Sequence, residues 1–170
     1  WYRDNRYRPY GDEVMIDLLV AIKSLITKYV RISRLMRDIP SKFIIAGSRD
    51  LALRGTIRKK MEQAGSRCSC IRCREYGHRQ RDGWAIGGPC LTRLDYETTG
   101  GKEIFLSYED ANETLFGLLR LRVSQEEAVI RELHVFGPEV PLGIRLEEGA
   151  QHHGLGERLL REAERIHEGL

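Results

Sequence analysis

The sequence predicts an α+β fold, and three observations carry that expectation. Val14, Ile16, Leu18, Leu19, Ile22, Leu25 and Ile26 form a broad apolar stripe at helical spacing. Three strand-like runs, residues 103–108, 115–123 and 129–136, then follow one another, separated by polar turns such as Glu109-Asp110-Ala111-Asn112. A glycine-containing segment, residues 151–156, finally opens a stretch in which Leu155, Leu159, Leu160, Ala163 and Ile166 recur at helical spacing.

Taken in order, Tyr7-Arg8-Pro9-Tyr10-Gly11 reads as a turn, with Asp12 as N-cap candidate for the first helix. Residues 29–36 look like a strand, because basic and apolar side chains loosely alternate there. Pro40 breaks whatever precedes it. A second helix is expected from about residue 50 to residue 63, ended by Gly65. Between residues 66 and 89 the periodicity vanishes, and Gly77, Gly83, Gly87, Gly88 and Pro89 punctuate a polar stretch with little apolar surface. That stretch is the natural boundary in the chain. No internal repeat or low-complexity tract occurs.

A chain of 170 residues suits one substantial core or two small units sharing one. Its apolar fraction of 41% and charged fraction of 31% are those of a folded, soluble protein. No run of 18 uncharged apolar residues is present, which argues against a transmembrane helix and a membrane partner. Trp1-Tyr2-Arg3-Asp4-Asn5-Arg6 lacks the apolar core of a signal peptide, so a cytoplasmic location is expected. The net charge is only +3, but residues 1–90 hold most of the cations, with clusters at 54–60 and 67–81. Such asymmetry suits a polyanion, although a solvated arginine-rich face has the same composition. On the second helix Arg54 and Arg58 lie one turn apart beside Lys59 and Lys60, while Arg31, Arg34 and Arg37 recur every three residues. These are candidates for phosphate contacts that position RNA without reading its sequence. Tyr76 and Trp84 nearby are candidates for stacking on splayed bases, or for ordinary packing.

Three of the four cysteines fall within six residues, Cys68-Ser69-Cys70-Ile71-Arg72-Cys73. In a chain without a secretory signal this cluster reads as a metal site rather than as disulfides. Zinc takes four soft or borderline donors in a tetrahedron, and ligation would supply ordering energy that this polar loop otherwise lacks. Arg67, Arg72 and Arg74 favour the thiolate form. His78 is the nearest fourth donor and Cys90 the alternative. An iron–sulfur cluster fits less well, since the radical-SAM and ferredoxin spacings are both absent.

The segment Gln151-His152-His153-Gly154-Leu155-Gly156 has the form Gln-x-x-Gly-x-Gly before a helix. A helix N-terminus offers free N–H groups and a positive dipole end to a pyrophosphate, and glycines allow close approach of the backbone. It is not a dinucleotide-binding Rossmann loop, because both the glycine spacing and the βαβ context are wrong.

Five blocks of sequence, in one order, resemble the family of the catalytic subunit of Elongator, whose members join a radical-SAM part to an acetyltransferase part of the GNAT superfamily. They are Arg37-Asp38-Ile39-Pro40-Ser41, Cys70-Ile71-Arg72-Cys73-Arg74-Glu75, the run from Gly100-Gly101-Lys102-Glu103 to Tyr108-Glu109-Asp110, Arg131-Glu132-Leu133-His134-Val135-Phe136-Gly137, and Gln151-His152-His153-Gly154-Leu155-Gly156 continuing to Ala163-Glu164-Arg165-Ile166. The resemblance covers nearly the whole chain. It implies a partial GNAT-type fold, antiparallel strands plus a coenzyme-binding helix, joined through a zinc loop to the end of a radical-SAM-like α/β barrel. The implied domains are 1–65 for the closing part of the radical-SAM-like domain, 66–90 for a basic zinc-binding linker, and 91–170 for the acetyltransferase domain.

The implied activity is acetyl-CoA-dependent formation of carboxymethyluridine at the tRNA wobble position, with acetyl-CoA as carbon donor. S-adenosylmethionine and an iron–sulfur cluster belong to the longer protein. The resemblance also implies tRNA as substrate, and Elongator-like subunits or self-association as further contacts. Residues 132–135 and 151–156, namely Glu132, Leu133, His134, Val135, Gln151, His152, His153, Gly154, Leu155 and Gly156, would line the coenzyme. Glu132 and His134 share one strand face and are the catalytic candidates, Glu132 as general base or as a group polarising water. Two departures bear on this reading: the radical-SAM cysteine triplet is absent, and Leu170 falls before the family's last strand, helix and Tyr-Tyr segment, so this chain alone is expected to be catalytically incomplete. The competing readings are a protein lysine acetyltransferase and a non-catalytic RNA-binding module.

Overall fold

A computed structural model describes residues 1–37, 39–50, 52–125, 127–137 and 154–169. The chain divides into two units, Trp1–Arg72 and Cys73–Leu170. The first holds two helices, α1 (Asp12–Leu25) and α2 (Leu53–Gln63), with a 3₁₀ turn at Ser41–Phe43 between them. Asp12 is not the cap of α1: Gly11 is, in an extended conformation, and Asp12 with Glu13 occupies the first turn, where the helix dipole favours carboxylates. Helix α2 buries Leu53, Ile57 and Met61, an i, i+4, i+8 stripe. It ends as a Schellman motif: Gly65 takes φ +65° and donates to Glu62 O, and Ser66 N–H donates to Met61 O at 2.9 Å. An ion pair between Lys60 and Asp17 joins the two helices.

The strand expected over residues 29–36 does not form. Its carbonyls are taken one by one instead: Val30 O accepts from Ile71 N–H at 2.9 Å, and Ile32 O and Ser33 O accept from Arg54 Nη2 at 3.2 Å each. Alternation alone makes no strand without a neighbouring edge to pair with.

The polar stretch after Gly65 is more ordered than its lack of periodicity suggests, since it contains two short helices, α3 (Ile71–Arg74) and α4 (Tyr76–Arg81). The second unit is otherwise a four-stranded antiparallel meander of β1 (Cys90–Thr98), β2 (Gly101–Glu109), β3 (Leu115–Val123) and β4 (Ala128–Val135), in that spatial order. Strands β2 and β3 are largely buried, as central strands are. β1 has most of its residues exposed, which is why its mixed run Cys90-Leu91-Thr92-Arg93-Leu94-Asp95 carried no clear strand signal.

Two tight devices set the register. Gly101 opens β2 where a Cβ would stand 2.4 Å from Val123 O, so only glycine fits beside β3 there. At the β2–β3 turn Asp110 Oδ1 accepts from Asn112 N–H and Thr114 N–H at 2.9 and 2.8 Å.

Helix α5 (Leu155–Glu168) lies on one face of this sheet. Its Leu155, Leu159, Ala163 and Ile166 meet Ile104, Leu106, Tyr108, Phe116, Leu119 and Leu121 in the main core. Each fully buried leucine or isoleucine contributes about 1.5–3 kcal/mol, so this seam is the chief attraction holding helix to sheet. Among the described residues no helix is long and apolar enough to cross a membrane.

Candidate functional site

The three clustered thiols converge. Cys68 and Cys70 are buried, Cys73 is half-buried, and their Sγ atoms lie within 4.8 Å of one another. Tetrahedral bonds of about 2.3 Å put sulfurs about 3.8 Å apart, so one zinc ion fits this donor set after small rotations. Local structure brings them together. Cys70 leads into α3, which carries Cys73 in its single turn, while the neighbouring Ile71 is fully buried. Arg79 Nε donates to Cys73 O at 3.1 Å and ties α4 to that turn. Among the described residues the group contains these three donors; His78 is turned to Arg81 through Nδ1 (2.8 Å) and to Glu75 through Nε2 (3.4 Å). Cys90 is exposed and opens β1.

A buried polar chain that sequence reasoning did not find holds the same stretch to the sheet. Arg74 Nη1 lies 2.8 Å from Glu109 Oε1, with the two side chains 0% and 4% exposed. Ser107 Oγ donates to the same carboxylate oxygen at 2.7 Å, and the Thr92 hydroxyl lies 2.7 Å from Ser107 Oγ. The line runs from α3 across β2 to β1. Tyr76 adds a tilted ring contact with Phe116 at 5.2 Å, and Gly87 N–H donates to Asp110 Oδ2 at 3.0 Å. Burial alone would raise the Asp110 pKa, but the amides of Gly87, Thr114 and Asn112 outweigh it and hold this carboxyl below its ordinary value.

On β4 the register sets Glu132 opposite Arg120 and His134 opposite Leu118, so both side chains share the face turned away from α5. Glu132 Oε2 lies 3.0 Å from Arg120 Nε, and the His134 ring rests 4.5 Å from that of Phe136. Val135, on the opposite face, packs onto the α5 core, while Leu133 stays partly exposed. Gly154 caps α5 in the left-handed conformation (φ +68°) with no side-chain cap, and among the described residues a Cβ there would meet nothing within 4 Å. A Cβ at Gly156 would stand 3.6 Å from Val135 Cγ2, so the opening turn of α5 abuts the end of β4. Gln151, His152 and His153 lie outside the described residues.

The face carrying Glu132 and His134 also holds Glu103, which accepts from Tyr96 OH at 2.8 Å and pairs with Arg131. Burial would raise its pKa, yet the Tyr96 and Arg131 contacts prevail and lower it. On the outer surface Arg93 clamps Asp95 through two hydrogen bonds of 2.8 and 2.9 Å, bringing that carboxyl down to about 2.

The cationic candidates of the first unit divide. Arg54 is half-buried and bound to Ile32 O and Ser33 O, Arg58 lies 3.7 Å from Glu62 one turn on, and Lys60 pairs with Asp17. Arg31, Arg34 and Lys59 are exposed.

Comparison with known proteins bears on this arrangement. Residues 1–63 match the model of the Radical_SAM C-terminal domain. Over 96% of its length the chain is 51% identical to a tRNA uridine(34) acetyltransferase of Dehalococcoides mccartyi, of which it covers 38%. It is 38% identical to the Elongator complex protein 3 of Schizosaccharomyces pombe over 97% of this chain and 33% of that one. The solved structure of the archaeal Methanocaldococcus infernus Elp3, lacking residues 1–46, superposes with a TM-score of 0.84 at 40% identity, over 97% of this chain and 42% of that one. The chain belongs to the family of the Elongator catalytic subunit. It spans between about a third and two-fifths of the length of these relatives.

Proposed function

We propose that the chain serves, within a longer polypeptide, the acetyl-CoA-dependent modification of the tRNA wobble uridine, forming carboxymethyluridine. The observation that carries this reading is the opening of α5. The helix begins on a left-handed glycine with no side-chain cap and, among the described residues, nothing within 4 Å of where a Cβ would stand, against the end of the strand bearing Glu132 and His134. Such an end suits a pyrophosphate through its free N–H groups and positive dipole. The names of the relatives, tRNA uridine(34) acetyltransferase and Elongator complex protein 3, support the same direction.

In this reading the second unit is a GNAT-type coenzyme domain, and the first is the end of a radical-SAM-like domain. Acetyl-CoA supplies the activated acetyl group. The amides of residues 154–156 hold its diphosphate, and residues 132–135 line its arm. Glu132, held by Arg120, shares its strand face with His134, the more exposed of the two. Cys68, Cys70 and Cys73 hold a structural zinc, which would order the loop; S-adenosylmethionine and an iron–sulfur cluster belong to the rest of the polypeptide. Arg31, Arg34 and Lys59 are the exposed cations best suited to meet tRNA phosphates.

The test is acetyl-CoA hydrolysis by the full-length protein with and without tRNA, together with calorimetric titration of acetyl-CoA. Binding with tRNA-stimulated hydrolysis is expected. Failure of the full-length protein to bind acetyl-CoA would remove the assignment.

A further inference from the structure

Between Arg67 and Trp84 the chain carries five arginines, Arg67, Arg72, Arg74, Arg79 and Arg81, against two acids, Glu75 and Asp82. Most of this charge has structural work. One element has more than it needs for that. The Arg79 guanidinium, itself 4% exposed, lies 3.7 Å from the centroid of the Trp84 indole. Arg79 Nε is fixed on Cys73 O, and the Trp84 N–H donates to Arg79 O at 3.1 Å. The indole is therefore held by a buried cation under one face and by its own backbone at the end of α4. Trp84 remains 37% exposed, so part of the ring left uncovered by Arg79 meets solvent.

Tryptophan is usually highly buried on average. A ring that stays in solvent, on a rigid cationic support in a basic stretch of chain, has the properties of a stacking platform for a nucleobase. A cation–π pair that merely closed a polar loop would gain from covering the second ring face as well.

We propose that Trp84 is a stacking site for an unpaired base of RNA, with Arg79 as the residue that positions the indole. The inference rests on the tRNA reading above and adds a contact to it.

In the full-length protein, Trp84 emission is read as the difference between the parent and its Trp84→Phe variant. This protein is titrated with a tRNA anticodon stem-loop, with oligouridine and with acetyl-CoA alone. Stacking should quench Trp84 emission on adding either RNA. Trp84→Ala should weaken RNA binding roughly 5- to 150-fold while leaving the salt dependence unchanged, since no phosphate contact is lost. Trp84→Phe should keep most of the affinity, and an unchanged urea midpoint separates lost stacking from misfolding. Salt-dependent RNA binding that neither quenches the emission nor responds to position 84 would overturn the proposal. So would quenching by acetyl-CoA alone, which would assign the ring to the coenzyme adenine. Absence of any RNA binding by the full-length parent protein would instead defeat the tRNA reading, and this site with it.

Discussion

Replacing Glu109 by leucine should be among the most damaging single changes in the second unit. The substitution leaves the Arg74 guanidinium, which is fully buried, without its counter-ion at 2.8 Å, and removes the acceptor of Ser107 Oγ. Breaking a buried pair on one side costs about 3–5 kcal/mol, because the surviving charge stays out of water without the carboxylate that balanced it. Against a total stability of about 5–15 kcal/mol this is a large share. With a urea m-value near 2 kcal/mol/M, the midpoint should fall by roughly 1.5–2.5 M. Arg74→Met with Glu109→Leu should recover most of the loss, since two apolar side chains of similar volume bury without charge. The measurement is a double-mutant cycle by urea denaturation, followed by circular dichroism. If Glu109→Leu alone shifts stability by less than about 0.5 kcal/mol, the buried pair is not what anchors α3 to the sheet, and the reasoning fails.

Three further outcomes are expected. The Asp95 carboxyl, held at about 2 by Arg93 against an ordinary 3.8, has a depressed folded-state pKa. Its contribution is therefore complete above about pH 4 and lost as pH falls toward 2, about 2 kcal/mol before solvent screening and about 1 after it. Urea midpoints at pH 5 and pH 2.5 should accordingly fall less in Asp95→Asn than in the parent; an identical fall refutes the pairing. Gly101→Ala should destabilise by at least about 2 kcal/mol, because its Cβ meets Val123 O at 2.4 Å, and a thermal melt within a degree of the parent would contradict this. Metal analysis should find one zinc per chain, lost on Cys→Ser change at position 68, 70 or 73; retention in all three variants would dismiss the thiol site.

How much of this was legible beforehand depended on the range of the interactions. Helix α2 and its glycine stop, helix α5 and strands β2 to β4 were readable because their signals are local: a 3.6-residue stripe, alternation and turn residues. β1 was missed since an edge strand with both faces near solvent needs no apolar pattern. The strand expected at 29–36 failed for the converse reason, having a pattern but no partner edge. The thiol cluster could be read from its spacing alone, whereas the Arg74–Glu109 pair and the Glu103–Arg131 pair could not. Their members stand far apart in sequence, and nothing in either local stretch marks a charged residue as one that will be buried.

The order of strands in the sheet matches their order in the chain, with only tight turns between consecutive strands, so contacts within it are of short sequence separation and should close early in folding. Helix α5, by contrast, is synthesised after the meander and covers Ile104, Leu106, Leu119 and Leu121 from afar. On the ribosome the meander therefore passes through an interval with a naked greasy surface, and chains arrested before Leu155 should bind hydrophobic dyes and solicit chaperones more than chains that include α5.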